Sequence, residues 1–182
     1  MASAITTVYN GGKYIVATIK DSPDNPLADV NVTVKISSIT KTMKTNGAGQ
    51  VKLTTDGLTP KTSYAATITF EGNDKYENAA KSVKVTVKNA TSKLTAKAKT
   101  FKRSDKSKKY SVTLKVNRNK VMKNTKITIK VNKKTYVANT NSKGVATFKL
   151  NKLTKKYSAT VKYAGDKYYN AKSAINIKMA VK

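Results

Sequence analysis

Apolar and polar residues alternate with a period of two along most of this chain. In Val30-Asn-Val-Thr-Val-Lys-Ile36, Val30, Val32, Val34 and Ile36 fall on one face, while Asn31, Thr33 and Lys35 fall on the other. Ile127, Ile129 and Val131 repeat the pattern late in the sequence. Successive side chains of an extended strand point to opposite faces, so this period marks strands buried on one side and solvated on the other. Runs rich in Val, Ile, Thr and Tyr predict strands near 3–9, 13–20, 30–37, 39–45, 50–55, 64–70 and 80–88. A second set follows near 94–101, 109–117, 125–132, 135–140, 145–150, 157–163 and 172–181. No helical period is sustained beyond one turn.

Turn residues punctuate these strands. Asp21-Ser-Pro-Asp-Asn-Pro26 holds two prolines among turn formers and predicts a loop. Asn46-Gly-Ala-Gly49 and Asn141-Ser-Lys-Gly144 predict tight hairpin connections, since Asn and Gly accept positive φ at little cost. Glu71-Gly72-Asn-Asp74 and Ala164-Gly165-Asp166 predict the next hairpin. Residues 89–93, short and polar, predict a linker.

The two sets of strands are copies. Residues 45–78 and 140–170 share Thr45/Thr140, Asn46/Asn141, Gly49/Gly144, Leu58/Leu153, Thr59/Thr154, Tyr64/Tyr157, Ala66/Ala159, Gly72/Gly165, Tyr76/Tyr168 and Asn78/Asn170. Their offset drifts only from 95 to 92 residues. That period is the size of a small sandwich domain. The expected fold is therefore all-β: two tandem immunoglobulin-like β-sandwich domains of about seven strands each, spanning 1–89 and 90–182. Tyr64 and Tyr157 each follow a Leu-Thr turn and open a late strand, the place of a tyrosine corner whose hydroxyl folds back to the upstream backbone.

The shared signature runs T-N-x-x-G, then L-T, then Y-x-A-T-[VI]-x-[YF]-x-G and a closing K-Y-x-N-A. It resembles the bacterial and archaeal Ig-like repeats of large surface proteins, and is most similar to the Lys-, Asn- and Thr-rich repeats of methanogen adhesin-like proteins. The resemblance covers nearly all of 94–182 and, more loosely, 5–88. The first copy departs from it by an extra residue in the 71–74 turn and by Glu77 where the second has Tyr169. What the resemblance implies is attachment at a cell surface or a spacer role in a long stalk, and it brings no catalytic residues with it.

Charge adds an asymmetry. The net charge is +28. Residues 1–89 hold 11 lysines and 7 acids, whereas residues 90–182 hold 26 Lys/Arg and 2 acids, Asp105 and Asp166. A basic surface attracts polyanions: nucleic acid, acidic polysaccharide or the anionic wall of a partner cell. Only Arg103 and Arg118 are arginines and tryptophan is absent, which argues against dedicated base reading or stacking. The bland alternative is a solvated face in a Lys-biased sequence. The candidate polyanion-binding residues are Lys126, Lys130, Lys143, Lys155, Lys156 and Lys162 of the second module.

Other chemistry is sparse. Cys and His are absent, so thiolate, imidazole and zinc-finger chemistry are excluded. Asp21, Asp24 and Asp29 match no calcium-loop spacing and read as turn residues; no cofactor or metal is expected. Asn31-Val-Thr33 and Asn89-Ala-Thr91 are glycosylation sequons, with Asn89 the better placed of the two. A Lys–Asn isopeptide crosslink would need a buried carboxylate; Asp105 and Asp166 read as loop residues, whereas Glu71, at a strand end, could serve. No acid–base pair recurs in both copies and no Gly-rich phosphate loop is present. No apolar run approaches the roughly 20 residues of a bilayer span, and Met-Ala-Ser-Ala has no signal-peptide character, as in a fragment of a longer secreted protein. The expected role is a non-enzymatic repeat of an extracellular adhesin-like surface protein, packed beside further repeats of its own chain and facing anionic cell-surface polymers or a partner-cell surface protein. Two alternatives are a filament subunit, in which residues 4–9 add as a strand to a neighbour's sheet edge, and a general polyanion or nucleic-acid binder.

Overall fold

Alternating burial organises the central strands, most plainly over Asn31–Ile36, Lys61–Phe70 and Lys109–Val116. The structure, a computed structural model, describes residues 3–182. The chain divides into two compact units, Met1–Asn89 and Ala90–Lys182.

Unit 1 contains β1 (Ile5–Val8), β2 (Tyr14–Thr18), β3 (Asn31–Ile36), β4 (Ile39–Lys44), β5 (Gln50–Thr54), β6 (Lys61–Phe70) and β7 (Ala79–Lys88). One sheet has the order β1-β7-β6-β3-β4, and β2 pairs with β5 in the other. β1 runs parallel to β7, with Ile5 opposite Val85. The 4–9 stretch considered as a donor strand thus has its pairing partner within its own unit. Ile15, Val32, Val34, Ile36, Val51, Ala66 and Val85 are buried between the sheets.

Unit 2 contains β8 (Ser92–Thr95), β9 (Lys99–Phe101), β10 (Lys109–Val116), β11 (Lys126–Val131), β12 (Lys134–Asn139), β13 (Val145–Lys149), β14 (Tyr157–Tyr163) and β15 (Lys172–Val181). Its sheets are β12-β11-β14-β15-β9 and β13-β10-β8. Leu114, Ile127, Ile129, Ala146, Leu150 and Val161 are fully buried, and Phe101, Tyr110 and Met179 pack with them.

Two expectations are corrected here. The strand predicted over 94–101 is two strands in different sheets: β8 pairs antiparallel with β10, and β9 parallel with β15. Leu94 and Phe101 both pack on the core. They stand an odd number of residues apart, so one continuous strand would aim them at opposite faces. Breaking the strand lets both face inward. Nor are residues 89–93 a free linker. Ala90 is fully buried in unit 2, its amide donates to the Tyr168 carbonyl at 2.9 Å and its carbonyl accepts from Asn170 N–H at 2.9 Å. Ser92 Oγ adds a bond to the Asn170 carbonyl at 3.0 Å.

Candidate functional site

The candidate lysines of unit 2 separate into groups. Lys126 and Lys130 alternate with buried Ile127, Ile129 and Val131 along β11, so they share the outward face of the five-stranded sheet. Lys162 on β14 lies on the same face, opposite Thr128. Lys143 sits in the 141–144 turn, and Lys155 and Lys156 sit in the loop before β14, all three exposed. Lys156 borders a shallow cavity with Lys99 and Lys178. The six are therefore not one site.

A sharper arrangement lies on the opposite sheet. On β10 the outward residues are Lys109, Ser111, Thr113 and Lys115, because Tyr110, Val112, Leu114 and Val116 are buried. The register sets Lys109 directly against Lys149 of β13, and Lys115 directly against Lys93 of β8. Between them Ser111 Oγ and Thr147 Oγ1 stand 3.0 Å apart in a hydrogen bond. Like charges directly opposite on neighbouring strands repel. Here two such pairs cap a hydroxyl-lined ladder about 20 Å long, six positions at the rise of an extended strand. In unit 1 the matching rows are Tyr14 with Thr54, Val16 with Lys52 and Thr18 with Gln50, which carry no such pair. The ion pairs Lys20–Asp24 and Lys44–Asp29 lie in unit 1. Lys93, Lys109, Lys115 and Lys149 escaped the sequence reading because the strands that bring them together are distant in the chain.

The repeated motif residues form a structural device. In unit 1 Asn46 Oδ1 accepts from the amides of Ala48 (3.0 Å) and Gln50 (2.9 Å); in unit 2 Asn141 Oδ1 accepts from Lys143 (2.9 Å) and Val145 (3.1 Å). These bonds tighten the hairpin that Gly49 and Gly144 close, each buried and at positive φ. Gly72 and Gly165 hold the corresponding positive φ in the hairpin after β6 and β14. Tyr64 donates its hydroxyl to the Thr59 carbonyl at 2.8 Å, a backbone anchor across the turn. Tyr157 departs from this expectation. Its hydroxyl lies 3.3 Å from the Thr154 hydroxyl, without a backbone anchor. The Leu-to-Tyr turn is two residues shorter in the second copy, so the ring reaches back less far. Unit 2 instead ties down Tyr110, whose hydroxyl donates to the Lys97 carbonyl at 2.8 Å. Burial pushes its pKa up to about 12. Tyr163 donates to Asp166 Oδ2 at 2.8 Å, and burial first, then that carboxylate, hold its hydroxyl well above the usual tyrosine range. Tyr64→Phe is expected to lower the stability of unit 1 by about 1 kcal/mol, and Tyr157→Phe that of unit 2 by much less. Urea midpoints followed by residue-resolved NMR check both.

The remaining candidates are placed locally. Asp21 accepts from the Asn25 amide at 2.7 Å, Asp24 reaches Lys20 at 3.9 Å and Asp29 reaches Lys44 at 3.1 Å, so the three do not converge. Among the described residues no group of acids is set to hold a metal ion. Asn31 opens β3 rather than lying in its middle and is exposed, whereas Asn89 is half-buried beside the docked Ala90. Asp166 caps the amides of Tyr168 and Tyr169 at 2.8 Å each, Asp105 accepts from the Lys102 amide at 2.9 Å, and Glu71 is exposed. Lys108 is the buried lysine, with Nζ on the Asp105 carbonyl at 3.0 Å. Among the described residues no helix is long and apolar enough to cross a membrane.

No protein-family model matches the chain, and no curated protein does. Solved structures do match. Invasin, a bacterial integrin-binding protein, aligns at a TM-score of 0.53 and 16% identity, over 96% of this chain and 38% of that one. The likeness is one of fold. A tetra-tandem repeat from the extending region of a large adhesion protein aligns at 0.42 and 11% identity, over 100% of this chain and 50% of that one. A Ca2+-stabilized adhesin with which an Antarctic bacterium binds ice aligns at 0.35 and 14% identity, over 98% and 46%. The chain thus spans half or less of each of these structures. Both units are immunoglobulin-like β-sandwiches.

Proposed function

We propose that the chain is a non-enzymatic repeat segment of an extracellular adhesin-like surface protein. Its first sandwich serves as a spacer, and its second presents a basic surface to anionic polymers of a cell surface. The observation that carries this reading is the ladder on β8, β10 and β13. Two directly opposed lysine pairs cost the fold stability, each by about 0.2–1 kcal/mol. A bound polyanion relieves that repulsion, so the ladder is matched to a charged partner rather than to the fold. On the outward face the hydroxyls of Ser111, Thr113, Thr147 and Thr95, with Val145, fill the space between the pairs, and no aromatic ring or arginine stands there to stack on or read a base. That favours an acidic polysaccharide over nucleic acid. The fold likeness to invasin agrees with a surface setting, and the sequence motif's likeness to methanogen repeats gives the narrower version of the same reading.

The test uses the intact chain, an immobilised sulfated or carboxylated polysaccharide and a random DNA duplex. Binding to the polysaccharide is expected at low salt and should fall steeply toward about 0.5 M salt, where charges more than a few Å apart are screened. Replacing Lys93, Lys109, Lys115 and Lys149 together by threonine is expected to weaken binding at least tenfold, and more than replacing Lys126, Lys130 and Lys162. Affinity unchanged across that salt range, or a preference for the duplex, would sink the proposal.

A further inference from the structure

The outward face of the five-stranded sheet differs between the two units at matched positions. In unit 1 one row across that face runs Thr42, Thr33, Thr69, and in the next Thr67 stands opposite Ser82. In unit 2 the first row runs Val137, Thr128, Lys162, and in the second Lys130 stands opposite Thr160. Beside Thr160 the register of β15 shifts, so Ile175 and Asn176 occupy the place of the single Ser82. This is a β-bulge, and Asn176 supplies the left-handed backbone at φ 55. Ile175 points outward there, since the neighbouring Ala174 packs on the core. Val137 is 56% exposed and Ile175 66%; with Tyr14 of unit 1 they are the exposed large apolar side chains of the described residues. A lone exposed aliphatic residue is ordinary. Two on one face, standing where the sister module has threonine and serine, and one of them delivered by an inserted residue, mark a surface built to be covered.

Three strand spacings and one pleat repeat separate Val137 from Ile175, roughly 16 Å. Lys130 and Lys162 stand between them, both exposed. The sequences of β9, β11, β12, β14 and β15 contain no Asp or Glu. We infer that this face docks an acidic protein surface, one that sets carboxylates against Lys130 and Lys162 and covers Val137 and Ile175 with aliphatic side chains of its own. Charge complementarity fixes the sign of the partner, and the two aliphatic anchors fix its class. Apolar contacts ringed by polar groups are the anatomy of a protein–protein interface. A sugar polyanion brings hydroxyls and anionic groups but no aliphatic side chain, and the lysine and hydroxyl ladder on the other sheet suits it better. A second copy of this chain carries +28 and is repelled.

The test pans the intact chain, near physiological salt, against a displayed library of random peptides long enough to span the face. The recovered peptides are expected to be net negative with large aliphatic residues, and to shift the amide signals of residues 128, 137, 160 and 175. The double variant Val137→Thr, Ile175→Ser is expected to bind them at least tenfold more weakly while its unbound spectrum stays parental elsewhere. The double variant Lys130→Thr, Lys162→Thr should slow their association at least threefold, a difference that fades at high salt. Binding of a sulfated polysaccharide should be the same for the aliphatic variant and the parent, which separates this face from the ladder. The inference is overturned if the library yields no binder, or if the recovered peptides are acidic without aliphatic residues and hold the aliphatic variant as tightly. It is overturned too if the aliphatic variant loses the polysaccharide, or if the chain dimerises and that variant does not, which would make a sugar or a second copy the occupant.

Discussion

Gly49→Ala is expected to destabilise unit 1 by at least about 3 kcal/mol, while Gly47→Ala, two residues away, is expected to cost less than about 0.5 kcal/mol. Gly49 has φ +67, and a methyl there would meet the Ile19 carbonyl oxygen at 2.5 Å and the Leu27 amide nitrogen at 3.1 Å. Those two groups are hydrogen-bonded to each other at 3.0 Å. The methyl must push apart backbone that has nowhere to go, and the residue must also hold a left-handed conformation. Strain of that kind costs of order 1–3 kcal/mol, and a displaced backbone hydrogen bond adds about as much. A Cβ on Gly47 meets nothing within 4 Å. Gly144 repeats the situation at φ +72 against the Leu114 carbonyl at 2.8 Å, so Gly144→Ala should damage unit 2 in the same way. Denaturant midpoints for each unit decide the matter: equal midpoints for the Gly47 and Gly49 variants would refute the close approach. A loss of this size matters because domains are stable by only about 5–15 kcal/mol.

What was legible in the sequence is what the chain settles locally. The alternation of Val32, Val34 and Ile36 marks β3 because strand period and burial coincide there. The turn chemistry of Asn46 and Gly49 is local, and its recurrence at Asn141 and Gly144 identifies two copies of one device. Features set by distant pairing were not legible. The break between β8 and β9 follows from which sheet each half joins. The docking of Ala90 depends on Tyr168 and Asn170. The Lys109–Lys149 pair exists only once β10 and β13 are in register, and a slip of one residue would turn it inward. Composition carries no register, so the lysines Lys126, Lys130, Lys143, Lys155, Lys156 and Lys162 lie over a sheet face and two loops. The tyrosine motif is the same in both copies, yet Tyr64 reaches the Thr59 backbone while Tyr157, with two fewer turn residues before it, meets only the Thr154 hydroxyl.

Thr140→Val is the second change expected to have a large effect, about 2–4 kcal/mol on unit 2, with Thr45→Val doing the same to unit 1. Both threonines are buried, at 4% and 5% exposure, in positions that a β-branched apolar residue of the same shape would fill without strain. Each hydroxyl has two bonds. Thr45 Oγ1 donates to the Leu27 carbonyl at 2.6 Å and accepts from the Val30 amide at 3.1 Å. Thr140 Oγ1 donates to the Met122 carbonyl at 2.6 Å and accepts from the Thr125 amide at 2.9 Å. The backbone around them repeats as well: Thr45 N–H bonds to Val30 O at 3.0 Å, and Thr140 N–H to Thr125 O at 3.0 Å. The hydroxyl thus clamps the loop entering β3 or β11 onto the strand that ends at the 46–49 or 141–144 turn. Valine keeps the volume and removes the clamp, leaving a carbonyl and an amide without partners where water does not easily reach. Serine keeps both bonds and loses one methyl, so it should be more stable than valine by at least about 1 kcal/mol, the reverse of the order at an ordinary buried strand site. The half-buried Thr33, whose hydroxyl meets Thr42 at 2.8 Å, serves as the control, with Thr33→Val expected within about 0.5 kcal/mol of the parent. Valine matching or exceeding serine at position 140 would show that shape, and not the paired hydrogen bonds, makes threonine the residue at this point in both copies.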